Sequence, residues 1–305
     1  MFSSLGQQGS RTLLRRHRRA FSSLVDAPTS SVRHAIPEEN LRAHLERHGI
    51  LEVGQNFTTS QFLHGQSNPT YTLSVDGLPR FVVRRQPPGD LLPGAHRVDR
   101  EFRVMNALGK AGSTAPVPRT RLYSDDVSLV GTPFFVYDFV LGQFHPDPTL
   151  PHAKSPRERR ALYNGMADAI ARVHAADVDR IGLSDFGKHE AYVQRQIKTW
   201  SRAYTASATT QMSSMDTLIE KMPSLDPTQD RAATKVFVAH GDLRLDNMIF
   251  QDDPLSSSSS IRSVAGILDW ELSTLADTPQ LDLAYACMVF HLPRVEVSSH
   301  APCCL

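Results

Sequence analysis

Cysteine is scarce in this 305-residue chain, which has only Cys287, Cys303 and Cys304. None stands in a Cys-x-x-Cys pair or at the His spacing of a tetrahedral zinc site, so neither a disulfide framework nor a zinc domain is indicated. Long apolar runs are also missing, and nothing approaches the ~18 residues a membrane-spanning helix requires. Excess charge is absent too: 33 Lys and Arg face 32 Asp and Glu, a formal net charge of +1. That balance gives no chain-wide basic field for nucleic acid or an anionic membrane, and leaves a small molecule as the expected partner. The remainder, 40% hydrophobic and 21% charged, is ordinary globular composition with enough length for one or two domains.

One absence is local. No acid precedes Asp26, while Arg11, Arg15, Arg16, Arg18 and Arg19 crowd the first 25 positions among serines. Wound as a helix, Arg11, Arg15 and Arg18 share one face and Leu14, Phe21 and Leu24 another. This is the composition of a mitochondrial import peptide, so residues 1–30 are expected to be a targeting segment, with processing near Arg18-Arg19-Ala20-Phe21; the alternative is a disordered basic tail on a cytoplasmic protein. The apolar stretch is too short for a secretory signal.

After a Pro- and Ser-containing linker, Pro37-Glu38-Glu39-Asn40 opens a helix reaching about His48, its acids in the first turn where the helix dipole favours them. From 57 to 85 the pattern is strand-like, with a segment around Phe62, a second over 70–75, the Asp76-Gly77 turn and a third over 81–84. Val98, Phe102, Met105 and Leu108 mark one helical face, and 132–140 reads as an apolar strand ending at Leu141-Gly142. Helical patterns follow over 157–175 and 191–204. Two short strands, 236–238 and 265–268, bracket a loop, and the Ser256 to Ser260 run reads as a solvated insert. The expectation is an α+β chain of two lobes around a cleft: an antiparallel sheet with one helix over 37–141 and a mainly helical lobe over 142–294.

The chemistry concentrates in His240-Gly241-Asp242-Leu243-Arg244-Leu245-Asp246-Asn247 and in Asp269-Trp270-Glu271. Phosphoryl transfer asks the protein mainly for a carboxylate to orient the attacking hydroxyl and for oxygen ligands to Mg²⁺. Asp242 fits the first role, as catalytic base. Asn247, five residues on, offers a side-chain carbonyl to the metal, and Asp269 at a strand end offers an anionic oxygen. A bare Asp-x4-Asn spacing is uninformative; its place between apolar strands, after His-Gly and before Leu-Asp-Trp, is what makes it specific.

These residues resemble the catalytic and metal-binding loops of the aminoglycoside phosphotransferase and choline kinase-like family, which has a protein-kinase-like fold. The likeness runs from about Phe62 to Leu292. It is strongest to the kinase domains fused to acyl-CoA dehydrogenases, in Gly65-Gln66-Ser67-Asn68-Pro69-Thr70, Arg84-Arg85-Gln86-Pro87-Pro88-Gly89, Val98-Asp99-Arg100-Glu101, Arg195-Gln196-Ile197-Lys198-Thr199-Trp200 and Leu268-Asp269-Trp270-Glu271-Leu272-Ser273. The resemblance implies ATP and Mg²⁺ as cofactors. It assigns Gly65, Ser67 and Asn68 to a turn covering the ATP phosphates, Val82 to the adenine, Arg84 to the phosphates in place of the usual kinase lysine, and Glu101 to the arginine. Asp138 and Val140 would form the hinge along the adenine edge. Strand alternation turns Arg85 away from Arg84. Asp282 resembles the family's structural acid under the catalytic loop, and His240 reads as scaffold. Trp200 and Tyr204 form a helix stripe that reads as core more readily than as pocket lining.

Twelve residues separate Asp269 from Asp282 and no Ala-Pro-Glu follows, which leaves little room for the peptide-docking segment of protein kinases. A small hydroxylated acceptor is expected, and the resemblance implies a hydroxy acid or hydroxyacyl-CoA. Residues 295–305 do not look like the family, whose members continue with more helices, and Pro302 occupies the Cys position of a prenylation motif. The 142–294 lobe is therefore expected to be incomplete. The competing expectation is a truncated or non-catalytic nucleotide-binding regulator.

Overall fold

The computed structural model describes residues 29–30, 35–62, 68–89, 91, 96–110, 112–225, 235–252 and 262–291. Gly65, Ser67, the serine run, the tail 295–305 and all but the last two residues of the expected targeting segment lie outside them.

A six-stranded antiparallel sheet forms the first lobe, ordered β1-β2-β3-β4-β6-β5. Its strands are β1 (Thr29–Ser30), β2 (Phe57–Phe62), β3 (Thr70–Val75), β4 (Leu78–Arg85), β5 (Thr120–Ser124) and β6 (Phe134–Asp138). Val75 pairs with Leu78 across Asp76-Gly77, both at positive φ, 52° and 73°. A two-residue turn of that handedness matches the twist of the flanking strands, and Gly77 takes its conformation without Cβ strain.

Both faces of the sheet are buried, and strand alternation decides which residue goes where. Val83 and Val136, opposite one another, pack with Tyr71, Leu73 and Phe134 under helix α1 (Glu38–Arg47), which contributes Leu41 and Leu45. Val82, Phe135 and Tyr137 face the other way, into a core continuous with helix α2 (Val98–Leu108) and the second lobe. Arg84 shares the face of Val82. Arg85 points opposite, donates to the Val130 carbonyl and lies 5.5 Å from the Tyr71 ring centroid.

The second lobe is built on α4 (Pro156–His174), which follows the one-turn α3 (Val127–Val130). Ser155 caps α4 by accepting from Glu158 N–H at 3.2 Å, with Pro156 as the first helical residue, a strong start signal. Leu162, Met166, Ile170 and Val173 carry its apolar stripe into the shared core. Two small antiparallel two-stranded sheets lie against it: β7 (Phe237–Ala239) with β10 (Thr274–Ala276), and β8 (Met248–Asp252) with β9 (Arg262–Ile267). They hold residues 240–247 and 268–273 as facing loops. Helices α5 (Tyr192–Ser207), α6 (Ser213–Lys221) and α7 (Gln280–Met288) complete the described lobe.

Trp200 corrects one expectation. It is 69% exposed, because α5 buries only Tyr192. In place of core, α5 borders a cavity of about 440 Å³ lined by Gln194, Ile197, Lys198, Ser201, Ile219 and Pro223.

Candidate active site

The loop 240–247 is fixed from below by a buried carboxylate. Asp282, fully buried on α7, accepts His240 N–H through Oδ2 and Gly241 N–H through Oδ1, each at 3.0 Å. His174, at the end of α4, adds a contact from Nε2 to Oδ2 at 2.9 Å. Burial alone would raise the Asp282 pKa; these hydrogen bonds outweigh it and hold the carboxyl below its ordinary value.

His240 is fully buried, with Nε2 2.8 Å from the Leu268 carbonyl and Nδ1 accepting Asp242 N–H at 3.2 Å. One nitrogen must donate and the other accept, which requires the neutral ring. Burial lowers its pKa in the same direction. Its ring also packs 4.5 Å from that of Trp270. The histidine ties the two loops together.

Above this support stand the polar groups. Asn247 Nδ2 donates to the Asp242 carbonyl at 2.8 Å and to Asp242 Oδ2 at 3.2 Å. Asp242 Oδ1 is buried without a hydrogen-bond partner; Arg244 Nε approaches it to 3.4 Å, and Arg244 also pairs with Asp246 at 2.9 Å. Burial raises the Asp246 pKa. Burial raises the pKa of the Tyr285 phenol on α7, and the neighbouring Asp242 adds to the effect. Leu268 N–H donates to the Asn247 carbonyl at 2.9 Å, and the next residue, Asp269, turns through φ 65° and presents its carboxylate toward the sheet lobe.

Arg84 meets it there. Its Nε donates to Glu101 at 2.7 Å and its second terminal nitrogen to Asp269 Oδ1 at 2.5 Å, with Glu271 3.8 Å from the same nitrogen. Desolvation works against the Arg84 charge, but Glu101 and Asp269 outweigh it and push its pKa up. Glu101, 1% exposed, is pushed up to about 7 by burial against the pull of Arg84. The guanidinium therefore keeps its charge, and the glutamate is the partner that holds a proton more tightly than usual.

The remaining expected residues do not all share that face, since Asp138 follows Tyr137 and lies opposite Phe81, which packs on the other core. Val82 is buried opposite Tyr137. Asp138 bonds Arg121 through both carboxylate oxygens, at 2.5 and 2.8 Å, and its N–H reaches the Arg119 carbonyl. Val140 lies against Gly266 of β9. Asn68 is fully buried and donates from Nδ2 to Glu271 at 3.3 Å, so its side chain points at the Asp269 loop. Glu271 is the residue that sequence reasoning left without a role; its position two residues after Asp269 was its only signal.

Magnesium fits the donor set. Mg²⁺ takes one or two carboxylates and fills its shell with phosphate oxygens and water. Asp269 supplies a partly exposed carboxylate, and Asn247, having turned Nδ2 to Asp242, keeps Oδ1 as an acceptor. Among the described residues no three His, Cys, Asp or Glu side chains form a metal cluster.

A sheet lobe with a buried Arg–Glu pair, facing a helical lobe with an Asp–Asn loop and an adjoining carboxylate, defines a kinase-like phosphotransferase fold. The family profile described as "Phosphotransferase enzyme family" matches residues 58–297. Acyl-CoA dehydrogenase family member 10 of Mus musculus is 39% identical over 261 residues, 85% of this chain and 23% of that protein. Family member 11 of Homo sapiens is 36% identical over 264 residues, 86% of this chain and 32% of that protein. The chain thus spans about a quarter to a third of the length of these relatives. A crystal structure from Ralstonia eutropha, assigned to the aminoglycoside phosphotransferases, aligns with TM-score 0.71 and 36% identity over 86% of this chain and 73% of its own. The streptomycin–ATP–APH(2″)-IIa ternary complex shares the fold, with TM-score 0.56 and 16% identity over 84% of this chain and 78% of its own. The chain belongs to the phosphotransferase enzyme family.

Proposed function

We propose that this chain transfers the terminal phosphoryl group of ATP to the hydroxyl of a small metabolite, with Asp242 as the catalytic base. One observation carries the reading: Asn247 bonds Asp242 and accepts from Leu268 N–H, the neighbour of Asp269, and Arg84 reaches Asp269 from the opposite lobe. With Oδ2 engaged by Asn247, Asp242 Oδ1 is the atom left to take the acceptor's proton. Asn247 Oδ1 and Asp269 would hold magnesium, which supplies charge neutralisation at the phosphate oxygens when bound. Arg84 supports the donor phosphates, and Val82 and the Asp138–Val140 segment the adenine; the part given to Gly65, Ser67 and Asn68 over the phosphates rests on the family resemblance. The intact set favours transfer over nucleotide binding alone.

Two finer readings rest on other grounds. Likeness to acyl-CoA dehydrogenase family members supports a hydroxy acid or hydroxyacyl-CoA as acceptor. The basic, acid-free composition of residues 1–30 supports import into mitochondria, which fusion of those residues to a fluorescent protein would test.

The deciding experiment measures ADP release with Mg-ATP across a panel of hydroxy acids, their CoA thioesters, aminoglycosides and choline. Asp242→Ala should lower kcat by about 10²–10⁴-fold while nucleotide affinity is retained. Absence of acceptor-dependent ADP release from the wild type would overturn the proposal.

A further inference from the structure

Arg84 belongs to a closed ring of contacts. The Asn68 amide donates to Glu271 Oε2 at 3.3 Å, and that oxygen lies 3.8 Å from an Arg84 terminal nitrogen. The other terminal nitrogen donates to Thr70 Oγ1 at 3.4 Å, and the Thr70 hydroxyl donates back to the Asn68 carbonyl at 2.9 Å. Asn68 and Glu271 are 203 residues apart in sequence, so the ring joins the segment entering β3 to the loop that carries Asp269. Phosphate support by Arg84 does not account for this closure, since Glu101 and Asp269 already hold the guanidinium.

The amide orientation of Asn68 is set by chemistry. Its Nδ2 must face the Glu271 carboxylate, because two oxygens would repel, and Oδ1 is then left buried without a partner. Keeping an unpartnered buried oxygen is unfavourable, so the donor contact to Glu271 must offset it. One nitrogen of Arg84, meanwhile, serves both Asp269 and Glu271. If Asp269 Oδ1 turns to another cation, that nitrogen keeps a carboxylate only through Glu271.

We infer that Asn68 and Glu271 are positioning residues for Arg84: Glu271, held by the Asn68 amide, works alongside Asp269 to keep the guanidinium at the donor-phosphate site. This rests on the nucleotide-binding part of the proposed function. Glu271 acts here on the arginine, and its effect on nucleotide affinity therefore exists with or without a divalent cation.

The test uses the full chain, mant-ATP as fluorescent probe, and thermal melting as a control for folding. Asn68→Asp places two carboxylates together, and Glu271→Gln removes the charge facing Arg84. Each should weaken mant-ATP binding by roughly tenfold, in Mg²⁺-containing and in Mg²⁺-free buffer alike. The double variant, Asn68→Asp with Glu271→Gln, exchanges donor and acceptor: the new amide on the Asp269 loop donates to the new carboxylate beside β3. It should bind within about threefold of wild type. Should Asn68→Asp fail to fold, a folded, nucleotide-binding double variant supports the inference and its failure counts against it. Single variants that bind like wild type, a Glu271→Gln effect confined to Mg²⁺ buffer, or a double variant no tighter than the weaker single each overturn it. A wild type that binds no mant-ATP overturns the kinase reading as well, which separates the two failures.

Discussion

Gly241 lies directly beneath the Leu272 carbonyl: a Cβ at this glycine would stand 2.6 Å from that oxygen, and its φ is +86°. The residue before Asp242 is thus fixed both by its own backbone conformation and by the facing loop. Gly241→Ala should destabilise the fold by about 1–3 kcal/mol, the range for a strained left-handed residue. Activity should fall further than the melting temperature indicates, because the shift displaces Asp242. Unchanged kcat with a lowered Tm would mean that the loop tolerates the displacement.

Asp282→Asn keeps the shape of the anchor but cannot accept from both His240 and Gly241 N–H groups and meet His174 equally well. A buried group left without its partner costs about 1–3 kcal/mol. The expected result is a lower Tm together with reduced kcat and a nearly unchanged KM for ATP. Rising KM with constant kcat would show that the anchor serves the nucleotide side instead.

Arg84→Lys retains the charge but not the fork that meets Glu101 and Asp269 from different nitrogens. A lysine reaches one of them at a time, so nucleotide affinity should drop about tenfold or more. Arg84→Met leaves Glu101 buried without a cation and should lower stability by about 3–5 kcal/mol. Denaturant unfolding and nucleotide titration check the two effects separately.

His240 predicts the acid side of the stability profile. Burial depresses its pKa in the folded chain, with Asp282, Asp269 and Asp242 opposing, so the unfolded state binds the proton more readily. Its contribution is complete above the ordinary value of 6.5 and is lost as pH falls below that value, at about 1.4 kcal/mol per pH unit until the folded pKa is reached. His240→Asn should flatten the slope of unfolding free energy between pH 6.5 and 5. A slope equal to wild type would place the titration elsewhere.

Much of this arrangement was visible in the chain. The Asp76-Gly77 turn set the β3–β4 register, and strand alternation separated Arg84 from Arg85. Val98, Met105 and Leu108 marked the buried face of α2 that also carries Glu101. The local signals were strong because turn chemistry and periodicity act over a few residues. Other features were not readable. Strands β5 and β10 are short and take their structure from pairing with β6 and β7. The Asn68–Glu271 contact spans most of the chain, and no local pattern encodes it. Trp200 looked like core because helix spacing reports which residues share a face, without saying whether anything covers it.

The placement of Asp282 also bears on the order in which the molecule matures. Its two backbone contacts reach 41 and 42 positions back, so 240–247 has all its reactive groups well before it has its anchor. During synthesis the nascent loop emerges without a template, and it stays pliable until α7 leaves the ribosome and docks. The order of this loop therefore depends on a helix made after it, and cannot be complete before α7 is.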